Sequence, residues 1–251
     1  MAFDEVLIQR VDAGLSRPCV RFYAWDPWCI TLGSFQAADE QLQLDKLRAA
    51  GFDAVKRPTG GRAVFHAQEL TYTICAPKGI APWGKTLGQT YDWIAERLLT
   101  GLAQVGFQGT LERGESGILD KSNERHMAKP PCFSSASRAE IVWDGRKLVG
   151  SAQRRTRNAF LQHGSILLGD AHLGIVDFLD FPEERKAQIR DELRSHSISL
   201  SAIPGVDARL ESVRSAMENV FMKELGAEFA EPTDEEFAAT EELLPQYLTG
   251  R

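Results

Sequence analysis

Short aromatic and β-branched runs, each stopped by glycine or proline, fill much of the chain up to Leu168, and helical patterning takes over beyond it. Val20-Arg21-Phe22-Tyr23-Ala24-Trp25 and Trp28-Cys29-Ile30-Thr31-Leu32 read as two strands around an Asp26-Pro27 turn, closed by Gly33. Gln36 to Ala50 is rich in helix formers and stops at Gly51, and Phe52 to Arg57 returns as a strand. Glu69 to Ala76 is another strand. Lys85 to Phe107 is the clearest helix, with Leu87, Tyr91, Ile94, Leu98, Leu102 and Val105 forming one apolar stripe. Ser137 to Arg155 reads as a hairpin turned by Asp144-Gly145, and Ala159 to Leu168 as a strand broken at Gly164. Helices are predicted over Pro182 to Ser195, over Asp207 to Leu225, and from Pro232 onward, where Thr233 and Glu236 fit a capping box. Strands in the middle and helices in the tail imply an α+β fold with a short helical C-terminal extension. The expectation is a single catalytic domain over 1–251, with its core at 1–200 and the extension at 201–251.

The formal charge of −6 argues against a nucleic-acid partner, which usually requires a basic face. No stretch approaches the roughly 18 apolar residues of a membrane span, so no membrane partner is expected. Met1 to Arg10 lacks the layout of a signal peptide, and the four cysteines (Cys19, Cys29, Cys75, Cys132) show no CxxC spacing. A cytoplasmic location with reduced thiols and no metal follows as an expectation.

Four segments carry chemistry. In Lys56-Arg57-Pro58-Thr59-Gly60-Gly61-Arg62-Ala63-Val64-Phe65-His66, paired glycines let backbone N–H groups approach a ligand, and three cations stand close together in an acidic chain. A hairpin turn with solvated arginines would look the same. Pro130-Pro131-Cys132-Phe133-Ser134 places a cysteine in the polar Glu112 to Ser137 loop, whereas Cys19, Cys29 and Cys75 sit in apolar runs. A reactive thiol needs exposure and a nearby cation; a plain surface thiol is the alternative. In Lys147-Leu148-Val149-Gly150-Ser151-Ala152-Gln153, alternation sends Lys147 and Val149 to one face and Leu148 to the other. Lys147 in so apolar a run either points inward to meet an anion or blunts a sheet edge. His66 and His163, the latter in Leu161-Gln162-His163-Gly164-Ser165-Ile166, fit a proton shuttle or a structural hydrogen bond.

Together, and in this order, these blocks resemble the lipoate–protein ligase and octanoyltransferase superfamily. Arg21 to Trp25, Leu32-Gly33-Ser34-Phe35-Gln36, Arg57 to His66, Glu69-Leu70-Thr71-Tyr72, Cys132-Phe133, Lys147 to Gln153 and Leu161 to Ile166 carry the likeness. The resemblance implies a mixed or antiparallel β-sheet flanked by helices, similar to the catalytic domains of biotin protein ligases and class II tRNA synthetases. Gly-Gly-Arg-Ala, Glu-Leu-Thr-Tyr and the Cys-Phe element are closest to the cysteine-dependent octanoyltransferases of the ligase-like branch.

That likeness implies Cys132 as the acyl-thioester nucleophile and Lys147 as the cation that lowers its pKa. It implies a substrate pocket from Arg57, Gly60, Gly61, Arg62, Ala63, His66, Gly150, Ser151, Ala152, Gln153, His163 and Gly164. The donor would be octanoyl-acyl carrier protein and the acceptor a lysine of a lipoyl domain or of the glycine cleavage H protein, with no cofactor required. An ATP-dependent lipoate–protein ligase, using ATP and Mg, is the rival. It would not need Cys132, and the residues after Leu200 are few for the accessory domain that such ligases often carry. An octanoyl amidotransferase between lipoyl-type proteins would share the nucleophile, and a non-catalytic carrier-binding module would need neither Cys132 nor Lys147. Ala67 departs from the aspartate that commonly follows the family's histidine, so any role of that carboxylate in orienting His66 or binding a cation has no counterpart at this position.

Overall fold

Valine, leucine and isoleucine at Val6, Leu7, Ile8 and Val11 are buried on α1 (Ala2–Asp12), a helix that the sequence reading passed over. The structure, a computed structural model, describes residues 1–37, 42–113 and 139–247. Cys132, and most of the loop expected over Glu112 to Ser137, lie outside the described residues.

Strands β1 (Cys19–Tyr23) and β2 (Cys29–Leu32) form as expected, but β1 stops before Trp25, which leaves the sheet to stack on His66 with ring centroids 4.6 Å apart. Helix α2 covers only Leu44–Ala49, shorter than the composition of Gln36 to Ala50 suggested, because Leu42 instead bridges to Leu179. Strands β3 (Asp53–Lys56), β4 (Val64–His66) and β5 (Glu69–Pro77) follow. Helix α3 (Leu87–Gln104) starts after Thr86, which forms a reciprocal capping box with Gln89. Ile94, Leu98 and Leu102 are buried, as the stripe predicts.

After β6 (Thr110–Glu112), β7 (Glu140–Trp143) and β8 (Arg146–Lys147) make the expected hairpin, turned at Asp144 and Gly145 with φ of 51° and 68°. The predicted alternation then fails. At Leu148 the chain leaves β7 and continues as β9 (Val149–Arg155) beside β10 (Ala159–Leu167), so Lys147, Leu148 and Val149 are all buried where two sheets meet. The expected break at Gly164 is also absent: β10 runs through it, paired on both sides. A Cβ at Gly164 would stand 2.4 Å from the Gly150 carbonyl oxygen and 2.7 Å from the Tyr72 ring, so crowding demands glycine there.

The strands form an antiparallel sheet in the order β1-β5-β10-β9, a mixed sheet β3-β2-β4 and an antiparallel sheet β6-β7-β8. One face of the first sheet, with Tyr72, Ile74 and Phe160, shares the main core with α3 and α5 (Leu210–Leu225). Alternation turns Cys75 and Leu161 to the other face, beneath α1. Each such fully buried apolar side chain contributes roughly 1.5–3 kcal/mol. The tail adds a 3-10 helix (Asp170–Phe178), α4 (Glu183–His196) and α6 (Asp234–Tyr247), which is capped by Thr233 and Glu236 as predicted. Val213, Met217 and Phe221 seat α5 in the core, whereas α6 buries no side chain. No described helix is long and apolar enough to cross a membrane.

Candidate functional site

The glycine segment is the connection from β3 to β4, and Arg57 holds it in shape from beneath. Its buried guanidinium donates to the Gly60 carbonyl at 3.0 Å, the Arg62 carbonyl at 2.7 Å and the Thr31 carbonyl and hydroxyl, both at 3.1 Å. Arg57 is thus positioned as a brace of the loop that carries Gly60, Gly61, Arg62 and Ala63. The Ser34 N–H donates to the Thr59 carbonyl, which draws the loop against the end of β2. The approach is so close that a Cβ on Gly33 would lie 2.0 Å from the Gly61 carbonyl oxygen.

Two buried histidines lie between this loop and the main sheet, each held by a threonine on one side and a carboxylate on the other. Thr31 Oγ1 is 2.7 Å from His66 Nε2, and His66 Nδ1 is 2.7 Å from Glu69 Oε1. Nδ1–H donates to Glu69, while Nε2 meets the Thr31 hydroxyl, whose oxygen also accepts from Arg57. The same Glu69 oxygen accepts from Thr71 and Ser165. Glu69 thereby orients His66, the task left open by Ala67, and its spacing of three residues from His66 was the available sequence signal.

Thr59 Oγ1 lies 2.6 Å from His163 Nε2, and His163 Nδ1 lies 3.4 Å from Asp4 Oδ2. Burial pushes the His163 pKa down, against the opposing hydrogen bond to Asp4, so the neutral ring accepts the Thr59 hydroxyl proton. Burial alone would raise the Asp4 carboxyl. The hydrogen bond to His163, the charge of the amino terminus and Arg21 at 2.6 Å outweigh it and hold Asp4 well below the usual carboxylate range. Asp4 belongs to α1, so no local pattern announced it.

Lys147 lies at the junction where β8 gives way to β9. It is 8% exposed, and its Nζ donates to Glu140 Oε1 at 2.6 Å. Burial opposes a charged ammonium, and the Glu140 carboxylate is the anion that offsets it. The inward reading of Lys147 therefore holds, with a partner on β7 that sequence reasoning missed because it depends on strand pairing.

The four residues after Val149 divide between the two faces of β9. Gly150 and Ala152 pair with Ser165 and His163 and share the face of the histidines. Ser151 and Gln153 turn to the other face, where Ser151 Oγ is 2.7 Å from the Tyr72 hydroxyl and Gln153 donates to Gln162 at 2.8 Å. Gly164 packs among Gly150, Ser151 and Tyr72. The structure thus gathers Arg57, the glycine loop, His66, His163, Gly150 and Ala152 on one side of the sheet, with Lys147 on β8, two residues before β9 begins. β9 is the edge of its sheet among the described residues, so alternate backbone N–H groups near Gly150 and Ala152 point away from β10.

Beside His66 and Glu69 lies a cavity of about 410 Å³, walled by Trp25, Trp28, Leu168 and Leu210; the glycine pair and Lys147 are not among its walls. Among the described residues no group of three His, Cys, Asp or Glu side chains comes together as a metal site.

Octanoyltransferase LipM of Kyrpidia tusciae is 37% identical over 257 residues, covering 99% of this chain and 91% of the relative. The protein of the same name in Staphylococcus aureus is 33% identical, covering 98% and 90%. Among solved structures, the bipartite lipoate protein ligase of Thermoplasma acidophilum superposes with a TM-score of 0.74 at 22% identity, covering 98% of this chain and 86% of that one. At that identity the superposition establishes the fold alone. The lipoyl protein ligase A/B catalytic domain matches residues 1–222, and the chain belongs to that family.

Proposed function

We propose that this chain is an octanoyltransferase of protein lipoylation that carries the acyl group on Cys132. Octanoyltransferases 33% and 37% identical over nearly the whole chain support the acyl group, and the geometry supports the route. The observation that carries it is the buried Lys147, whose Nζ donates to Glu140 at the end of β8, two residues before the strand that presents Gly150 and Ala152 begins. A fixed cation in a dry setting stabilises a thiolate and a developing oxyanion more strongly than it would in water.

The Cys132 thiolate attacks the thioester carbonyl of octanoyl-acyl carrier protein. Outward N–H groups of β9 receive the oxyanion, and the carrier departs as its thiol. The ε-amine of a lysine on a lipoyl domain or glycine cleavage H protein then attacks the acyl-enzyme, forms the amide and releases Cys132. Thioester energy drives both steps, so neither ATP nor a metal takes part.

Intact-mass measurement after incubation with octanoyl-acyl carrier protein tests this reading. The account expects a gain of one octanoyl group, absent in Cys132→Ala, and transfer of that group to added lipoyl domain. An adduct formed only with lipoate, ATP and Mg would indicate a ligase. Acylation from an octanoylated lipoyl-type protein but not from the carrier would indicate an amidotransferase.

A further inference from the structure

Cys19 opens β1 and Cys75 lies near the end of β5, and the antiparallel register sets the two directly opposite one another. Opposed residues of such a pair have Cα atoms about 4.5 or 5.5 Å apart, depending on whether they exchange backbone hydrogen bonds. Both separations fall inside the window of roughly 4.4–6.8 Å that a disulfide spans. Their side chains share the face beneath α1, where the Cys75 thiol is the largest influence lowering the Cys19 pKa. Both are free; Cys75 is buried and Cys19 half-buried.

We propose that Cys19 and Cys75 form a dithiol that closes to a disulfide on exposure to a peroxide or a small-molecule disulfide, as a modification site separate from the acyl-transfer centre. Cys19, the more exposed, reacts first. Its thiolate is favoured by the hydrogen bond from the Cys75 thiol and, against burial, by Arg21 on the same strand face. With hydrogen peroxide, the Cys19 sulfur displaces hydroxide and becomes a sulfenic acid. The Cys75 sulfur then attacks the Cys19 sulfur, the S–S bond forms, and the sulfenic oxygen leaves as water with the Cys75 proton. Two thiols and one peroxide thus give one disulfide and two waters. With a small-molecule disulfide, Cys19 forms the mixed disulfide and Cys75 expels the small thiol.

Cys29 supplies an internal control. It lies on β2 opposite Asp53 and His66, with no cysteine across from it, and burial followed by the charge of Asp53 pushes its thiol up to about 12. The link between Cys19 and Cys75 would fasten the edge strand β1 to β5 without consuming a group of the acyl-transfer site. The closed form therefore melts higher, by a few degrees, because the crosslink restricts the unfolded chain.

The test uses the full chain carrying Cys132→Ser, treated with hydrogen peroxide or oxidised glutathione, then alkylated and weighed intact in denaturant. The expected result is a loss of about 2 Da, one alkylated thiol, and a peptide joining Cys19 to Cys75. With Cys75→Ser, oxidised glutathione should leave one adduct on Cys19 and no internal link. Cys19→Ser, at the half-buried position, makes the same comparison should Cys75→Ser misfold, since it too must abolish the link. Three alkylatable thiols after treatment, or a link through Cys29, would overturn the proposal. In the native-Cys132 background, Cys19→Ser/Cys75→Ser should retain octanoyl transfer within about twofold of the parent if the site is separate. Loss of transfer in folded double variant would overturn that separation.

Discussion

Replacing Arg57 by lysine keeps a positive charge but loses the planar fork that reaches Gly60, Arg62 and Thr31 together. Arg57→Lys should therefore cost about 2–3 kcal/mol in urea unfolding, far more than a charge-conserving change at the exposed Arg214, whose pair with Glu218 is worth well under about 1 kcal/mol. Glu140→Gln should cost roughly 3 kcal/mol in the same measurement, since the pair it breaks is largely buried. The histidine network predicts the response to acid. Burial lowers the folded pKa of His163, so the unfolded chain takes up a proton that the folded chain refuses. Its contribution is complete above the unfolded value near 6.5 and is lost as pH falls through and below it. Asp4, depressed by its partners, adds the same sign lower down: its contribution is complete above about 3.9 and lost as pH falls toward its folded value. Stability should decline between roughly pH 7 and pH 5, and His163→Gln should flatten that decline; an identical slope would remove His163 as its cause. The cations and imidazoles of this network were legible in the sequence as unusual residues in polar or apolar runs. Their carboxylate partners Glu140 and Asp4 were not, because each arrives by strand pairing or from a helix far away in the chain.

Gly164 separates the local from the tertiary reading of an element. A glycine that merely weakens a strand could be replaced by alanine with a gain of about 0.5–1 kcal/mol. The contacts at the Gly150 carbonyl and Tyr72 predict the opposite: Gly164→Ala should destabilise by about 1–3 kcal/mol and broaden the β10 and β9 resonances. The same contrast runs through the other elements. α3 was legible because its stripe is local, and β1, β2, β3 and β5 because turn residues bound them. The switch of sheets at Leu148 was not, since periodicity carries no information about which neighbour a strand will choose. It is this switch that turns Lys147 inward and puts Gly150 and Ala152 beside the histidines.

At the scale of the molecule, two sheets enclose the glycine loop and histidines, and α5 closes the main core, while α6 rests on α1 through contacts such as Phe3 with Phe237 and Arg10 with Glu235. Removal of residues 227–251 should leave a cooperative thermal transition, lowered by only a few degrees, as followed by circular dichroism. The α+β architecture followed from the order of patterns, whereas the burial of α5 did not, because it depends on a helix-to-helix contact with α3. The account depends most on a cysteine sulfur and a buried ammonium meeting in one site. The pH dependence of iodoacetamide labelling at Cys132 in the folded protein measures that meeting. It should show half-maximal reactivity below the free-thiol value of about 8.5 and move upward in folded Lys147→Ala; superimposable profiles for the two proteins would contradict it.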